Sequence, residues 1–241
     1  ALNVRQEYTK SEIKELLQKI YKELDIQGKP SASDIANYLT CEDRTSKVKR
    51  KLTAVFRITS HTRRKVSFFK KITDVLNPQV YDIDKLLEII RDDTYYHLKP
   101  KIEAVRKAKS KEEKAKKKAL LPAITWNGVF KSKNKNECVL YSSFTALDFD
   151  HIEPENMKTF AGWLQGFPCV YAYFVTPSGT GFKAIILHDN YEPLYHYDLY
   201  NQLLKLFACP EIDTSTTDLA RGNFMSYDPE LWKNPNPVPF H

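Results

Sequence analysis

The sequence holds no C-x-x-C pair. Its four cysteines, Cys41, Cys138, Cys169 and Cys209, stand far apart. That removes the ligand spacing of a structural zinc site and argues against a disulfide framework. Reduced, mostly buried thiols in an intracellular, cytoplasmic protein are the plain reading. No apolar run approaches the ~18 residues that a membrane span needs. No charged-then-apolar leader opens the chain, so no secretory signal is visible; a start on Ala1 reads as a trimmed chain or a fragment of something longer. The Walker A spacing G-x-x-x-x-G-K-[ST] is missing, the acid spacing of an EF-hand loop is missing, and no internal repeat is evident.

What the chain does contain is a core and an excess of positive charge. Of 241 residues, 42% are hydrophobic and 12% aromatic, enough to build one large domain or a domain with a smaller module. Lys plus Arg number 37 against 30 Asp plus Glu, a net charge of +7. A basic surface of that size favours a polyanionic partner or substrate without specifying which.

Taken in order, residues 1–64 read as a small helical or winged-helix-like module. Thr9 to Glu12 has capping-box spacing, and Ile13, Leu16, Leu17, Ile20, Tyr21 and Leu24 recur at helical intervals. Residues 65–241 read as the main domain. Residues 82–91 predict a helix with Ile83, Leu86, Leu87 and Ile90 on one face. Residues 99–121, dense in Lys and Ala, predict a single surface helix. Strands are expected over 123–130, 139–150, 170–176, 182–187 and 223–227. Helices are expected over 154–164 and over 195–207, the latter with Leu199, Leu203 and Leu206 inward. The proline-rich residues 234–239 cannot be regular structure and read as an edge or a linker. The pattern is α+β, a mainly antiparallel sheet with helices interposed.

Three clusters carry candidate chemistry. The first is Asp148 and Asp150, at the end of an apolar strand. Side chains alternate along a strand, so the two acids share a face with Cα atoms ~7 Å apart, while Leu147 and Phe149 point into a core. Two like charges crowded together call for a neutralising cation, and a hard divalent ion such as magnesium takes one or two carboxylates and keeps water or phosphate oxygens for the rest. The second is the turn Ser178, Gly179, Thr180, Gly181 with Lys183 just beyond it. Backbone N–H groups of such a turn can form an anion nest, the hydroxyls add donors and the lysine adds a point charge. An ordinary hairpin turn accounts for the same glycines. The third is Asp213 to Arg221: the acid is a candidate third carboxylate, and the guanidinium a phosphate clamp or a structural ion-pair partner. The basic residues Arg106, Lys107, Lys114 and Lys117 are candidates for contact with a phosphate backbone, against the simpler reading of a solvated helix.

In this order the clusters resemble the archaeo-eukaryotic primase superfamily, whose core is read as an hDhD strand, an S-x-H motif and an hD motif. Here these look like residues 147–150, residues 178–183 and Ile212-Asp213. The segments FFKKI, LPAITWNGVF, PSGTGFK and ARGNFMSYDPEL are similar to the primase-polymerase-like, VirE N-terminal-like group of bacterial mobile elements, over about the last three-quarters of the chain. The resemblance implies an RRM-like catalytic core and two divalent ions, Mg or Mn, held by Asp148, Asp150 and Asp213. It further implies template-dependent nucleotidyl transfer on single-stranded or primed DNA, nucleoside triphosphates as substrates, and a helicase domain or protein as a partner. The histidine of S-x-H has no counterpart; Lys183 stands near its place and supplies charge but no neutral imidazole. Two other readings compete: a non-catalytic nucleic-acid-binding module of a replication initiator, and a phosphohydrolase of the haloacid-dehalogenase type. The second would use Asp148, Asp150, Thr176, Lys183, Asp213 and Asp218 but needs a parallel sheet.

Overall fold

The structure, a computed structural model, describes residues 63–241 apart from 95 and 191. The readings made of residues 1–62 and of Cys41 lie outside the described residues.

An apolar stretch becomes a strand where both of its faces can be covered, and β6 (Phe144–Phe149) and β8 (Phe182–Leu187) are buried along nearly their whole length for that reason. Both belong to a four-stranded sheet in the order β10 (Trp232–Lys233), β7 (Val170–Val175), β8, β6. Phe144, Ala146, Ala172, Phe174 and Ile185 face one core; Leu147, Phe149, Val170, Tyr173, Ala184 and Ile186 face the other. A second four-stranded sheet runs β2 (Gln79–Asp82), β1 (Lys65–Phe69), β3 (Ala123–Thr125), β9 (Asn223–Phe224), and β4 (Gly128–Phe130) pairs with β5 (Cys138–Tyr141) in a short ribbon. Every pairing between these described strands is antiparallel.

The helices close the layers. The first, α1 (Ile83–Asp92), starts where the Asp82 carboxylate accepts from the Asp84 N–H and ends at Asp93 in the left-handed region. It buries Ile83, Leu86, Leu87, Ile89 and Ile90 against the first core. Two helices, α4 (Met157–Gln165) and α5 (His196–Leu206), cover the second. The expected helix over 99–121 is instead two, α2 (Leu98–Arg106) and α3 (Lys111–Lys118). Ser110 is the reason: its hydroxyl accepts from the Glu113 N–H at 3.1 Å while Glu113 accepts from the Lys109 N–H, an N-terminal capping arrangement that begins a new helix.

Other expectations shift in the same local way. The strands expected over 123–130 and 139–150 are each broken in two, because the chain turns a corner where the Ser142 N–H bonds to the Asn127 carbonyl and the Ser142 hydroxyl to the Trp126 carbonyl. Gly128 permits the corner: at φ 154 a Cβ there would lie 2.1 Å from the Leu140 oxygen. Leu206 is 42% exposed, and Phe207, just past the helix end, is buried in its stead. The strand expected over 223–227 is only Asn223–Phe224. The proline-rich tail lies along the sheet, with N–H groups of Asn234, Val238 and Phe240 donating to carbonyls of Tyr171, Pro168 and Leu187. Of the three described cysteines, all free, only Cys169 is fully buried. Burial pushes the Cys138 thiol up to about 12 and the Cys169 thiol up to about 11, so neither is reactive.

The connectivity that matters for the site is β6-α4-β7-β8-α5 followed by residues 211–213. That last segment bridges the free edge of β6, Phe149 opposite Ile212. With β8 on the other edge of β6 and β7 beyond β8, the order is that of a split βαβ, ferredoxin-like unit.

A charge network ties this unit to α1. Asp84 accepts from Arg64 at 2.6 Å, from the Tyr171 hydroxyl at 2.6 Å and from Lys233 at 2.8 Å. Burial alone would lift the Asp84 carboxyl; the Lys233 and Tyr171 bonds and the charge of Arg64 outweigh it and hold it below its ordinary value. A carboxyl lowered by folding contributes stability above its unfolded pKa of about 4, and that stability is lost as pH falls through the folded value. Replacing Asp84 with Ala is expected to cost about 1 kcal/mol at pH 7, since the network is partly solvent-screened. The loss should shrink toward pH 3; thermal melts across that range check it.

Candidate active site

Asp148 and Asp150 sit at the end of β6, on the face that Phe144 and Ala146 carry toward the first core. Beyond Asp150 the chain turns away through His151 in the left-handed region, φ 61. The antiparallel register places Lys183 of β8 directly opposite Asp148, and cross-strand neighbours are close enough to interact. The Lys183 Nζ donates to Asp148 Oδ1 and, at 2.6 Å, to Asn223 Oδ1 of β9. Lys183 is only 4% exposed. Its ammonium thus joins the two four-stranded sheets at the head of a cleft.

Asp213 arrives by strand-like pairing with the other edge of β6. Its N–H donates to the Asp148 carbonyl at 2.9 Å, and the Asp150 N–H donates to the Glu211 carbonyl at 2.8 Å. Its Oδ1 accepts from the Ser215 N–H and hydroxyl. Partial burial by itself would raise the Asp213 carboxyl, but the Ser215 bonds and the charges of Arg221 and Lys183 bring it below its ordinary value. The segment is propped from behind: Tyr200 of α5 bonds to Thr216, whose hydroxyl donates to the Asp213 carbonyl.

Lys118, Asp148, Asp150, Thr176, Ser178, Lys183, Asp213, Arg221, Asn223 and Phe224 all line this cleft, with Pro177 and Gly222. Each of the three clusters therefore contributes to one concavity. Among the described residues the Asp150 carboxylate has no hydrogen-bond or ion-pair partner. Burial, then the like charge of Asp148, raise its pKa. Arg221 and Lys118 are likewise free of ion pairs among the described residues. Lys118, the last residue of α3, has its Nζ 5.8 Å from the Phe224 ring centroid. Burial, and then the neighbouring charges of Lys114 and Lys183, lower its pKa against the pull of Asp150 and Asp148.

The turn after β7 contributes less than its composition promises. Ser178 lines the cleft, its hydroxyl 3.1 Å from that of Thr176. Gly179, Thr180 and Gly181 are not among the lining residues. The Gly179 N–H is spent on the Thr176 carbonyl, and the Thr180 carbonyl receives the Ile152 N–H. Gly181 is required by close approach, since a Cβ there would meet the Phe149 oxygen at 2.1 Å. Asp218 caps the Ala220 N–H and does not line the cleft.

Of the four basic candidates, Lys107 and Lys117 are 3.8 Å from Glu103 and 2.7 Å from Glu113. Arg106 lies against Gly179 beside the cleft, and Lys114 stands near Lys118. Sequence reasoning missed Lys118, Asn223 and Phe224 as cleft residues. Lys118 is hidden in a run of identical charges. Asn223 and Phe224 follow directly on Arg221-Gly222, the one signal that pointed at them.

The set of oxygen donors suits a hard divalent cation, and the unpartnered Asp150 beside Asp148 is a place where such an ion would relieve repulsion. Among the described residues no three His, Cys, Asp or Glu side chains are grouped as a metal would require. The acid pair is thus the part of the cleft that fits an ion as it stands.

Fold and cleft together define an α+β protein with a ferredoxin-like unit and a carboxylate-and-cation cleft at the end of its first strand. Over residues 115–232, a little under half of the chain, the sequence is similar to the family described as BT4734-like, N-terminal domain, and that span takes in every residue lining the cleft. No curated protein and no solved structure matches the chain.

Proposed function

We propose that the protein is a metal-dependent nucleotidyltransferase of the DNA primase or polymerase type, acting in replication of a mobile element or of plasmid- or phage-like DNA. One observation carries the reading: the Asp148–Asp150 pair and the sequence-remote Asp213, with Lys118, Lys183 and Arg221 beside them, line a single cleft. The fold alone would not, since ferredoxin-like units host many unrelated activities.

In this reading Asp148 and Asp150 hold Mg or Mn, with Asp213 beside them for a second ion. Such ions, when bound, lower the pKa of an attacking hydroxyl and neutralise charge on the departing pyrophosphate. The chain's own residues do the rest. Lys118 and Arg221, without ion pairs among the described residues, meet the phosphates of a nucleoside triphosphate. Ser178 and Thr176 offer hydroxyl donors at the cleft wall. Lys114 and Arg106 continue the positive surface beside the cleft toward a single-stranded or primed DNA template. A helicase partner remains part of the proposal through the resemblance alone, and no described helix is long and apolar enough to cross a membrane.

The test is incorporation of labelled dNTP or NTP on a single-stranded template. Metal-dependent product from the wild type, absent in acid variants, is expected; no product under any metal removes the proposal. The second reading, a non-catalytic nucleic-acid-binding module, draws on the Lys183–Asp148 bond, which neutralises one acid within the protein. It predicts DNA affinity indifferent to magnesium and nucleotide. The phosphohydrolase reading finds no support, since the antiparallel β6, β7 and β8 are not the alternating parallel units it needs.

A pH profile tests Lys118. Its ammonium must be charged to hold a phosphate, and its lowered pKa brings the alkaline loss of activity below the ordinary lysine range near 10.4. Lys118→Ala should raise the nucleotide KM about tenfold or more. Lys118→Arg should restore much of that and move the alkaline limb upward, because guanidinium stays charged. Steady-state kinetics between pH 6 and 10.5 measure both.

A further inference from the structure

We infer that Lys183 is a built-in counter-ion of the acid pair, which holds down the affinity for a divalent cation until a nucleotide draws its ammonium away. The inference rests on the reading that Asp148 and Asp150 take such an ion. It concerns what the ligand-free cleft does to that ion's entry.

The argument begins with position. Lys183 faces Asp148 across an antiparallel pair, is 4% exposed, and spends its ammonium on Asp148 and Asn223. A cation at hydrogen-bond distance from a carboxylate opposes a second cation at the same oxygen. In a partly desolvated cleft that opposition is several times stronger than in water. Asp150, with no partner of its own among the described residues, then remains the one unneutralised member of the pair. Without nucleotide phosphates to complete the set, one carboxylate and water hold magnesium or manganese more weakly than two carboxylates would.

The same geometry lets the block be lifted. Lysine is a point charge on a flexible four-carbon stem, so its Nζ can leave Asp148 without moving the strand. A triphosphate in the cleft gives it a competing anionic partner. Asp148 then becomes available, and ion and nucleotide favour each other's binding. Coupling of this kind is reciprocal, so the nucleotide should also bind more tightly once the ion is present. Lys118 and Arg221 play a different part, since neither has an ion pair among the described residues.

The experiment is Mn²⁺ binding to the full chain without nucleotide, read from the paramagnetic signal of free ion. Wild type, Lys183→Met, Lys183→Gln and Asp150→Asn are compared, with thermal melts to show that each is folded. Met keeps the stem without charge, and Gln keeps a donor for Asn223. Both lysine variants are expected to bind Mn²⁺ about tenfold or more tightly than wild type, although each has lost a cleft residue. Equal or weaker binding, with Asp150→Asn losing the ion, overturns the counter-ion and leaves the acid site standing. Binding that Asp150→Asn does not change overturns both. If neither lysine variant folds, the wild type decides. Its Lys183 ammonium NMR signal should shift and lose its contact with Asp148 on saturation with Mg²⁺ and nucleotide, and a signal unchanged there rejects the inference.

Discussion

Asp150→Asn should reduce nucleotide incorporation by about three orders of magnitude while raising the melting temperature by about 2 °C. The two effects have opposite signs for one reason. Asp150 is a half-buried carboxylate without a partner of its own among the described residues, and its pKa is raised by burial and by Asp148. A carboxyl raised on folding binds its proton more tightly in the folded state, so at pH 7 its charge opposes folding, and stability grows as pH falls toward the raised value. Asparagine removes that charge and keeps the shape. It also removes one of the two ligands that the acid pair offers an ion, and the electrostatic contribution of such ions is commonly the largest single one in phosphoryl transfer. A difference of a few kcal/mol at pH 7 in the barrier accounts for the loss, and about half a kcal/mol in stability accounts for the shift in a domain of this size. Asp148→Ala differs in kind. It strands the buried Lys183 ammonium, so both activity and stability should fall, the latter by about 3 kcal/mol. Single-turnover incorporation and differential scanning calorimetry on the two variants separate these outcomes.

Gly181→Ala should damage both stability and activity although it touches no charge. A Cβ at residue 181 would lie 2.1 Å from the Phe149 oxygen and 3.2 Å from the Asp150 Cα. Both are backbone, so no flexible side-chain end can give way. Either the turn between β7 and β8 lifts or the end of β6 shifts. Overpacking of this severity costs about 3 kcal/mol, a fall of roughly 6–12 °C in melting temperature. The surviving folded protein should also be less active, since displacing a catalytic group by about 1 Å costs roughly a hundredfold. A variant with unchanged melting temperature and rate would show that the β6 end does not press on the turn as described.

Parts of this were legible in the chain. Strand alternation is a local property with a period of two, so Asp148 and Asp150 on one face, with Leu147 and Phe149 on the other, needed no tertiary knowledge. The face of α1, the hairpin across residues 177–181 and the antiparallel α+β class follow from equally local patterns. The helix break at Ser110 was readable too, through Glu113 three residues on, but the density of helix-forming Lys and Ala over residues 99–121 outweighed it. The corner at Asn127 and Ser142 was not readable, because it depends on bonds between two segments that periodicity treats as uninterrupted.

The sequence by itself determined the acid pair, its facing and the kind of residues gathered near it. Only the tertiary structure decided which of them meet. Asp213 reaches β6 because residues 211–213 pair with its open edge. Lys183 opposes Asp148 because the register of β6 and β8 is what it is; a slip of one residue would have put an alanine or a phenylalanine there. Lys118 rather than its neighbours enters the cleft because α3 ends beside β9. Those are non-local pairings, fixed by the burial of two cores on either side of one sheet, and no run of neighbouring residues encodes them.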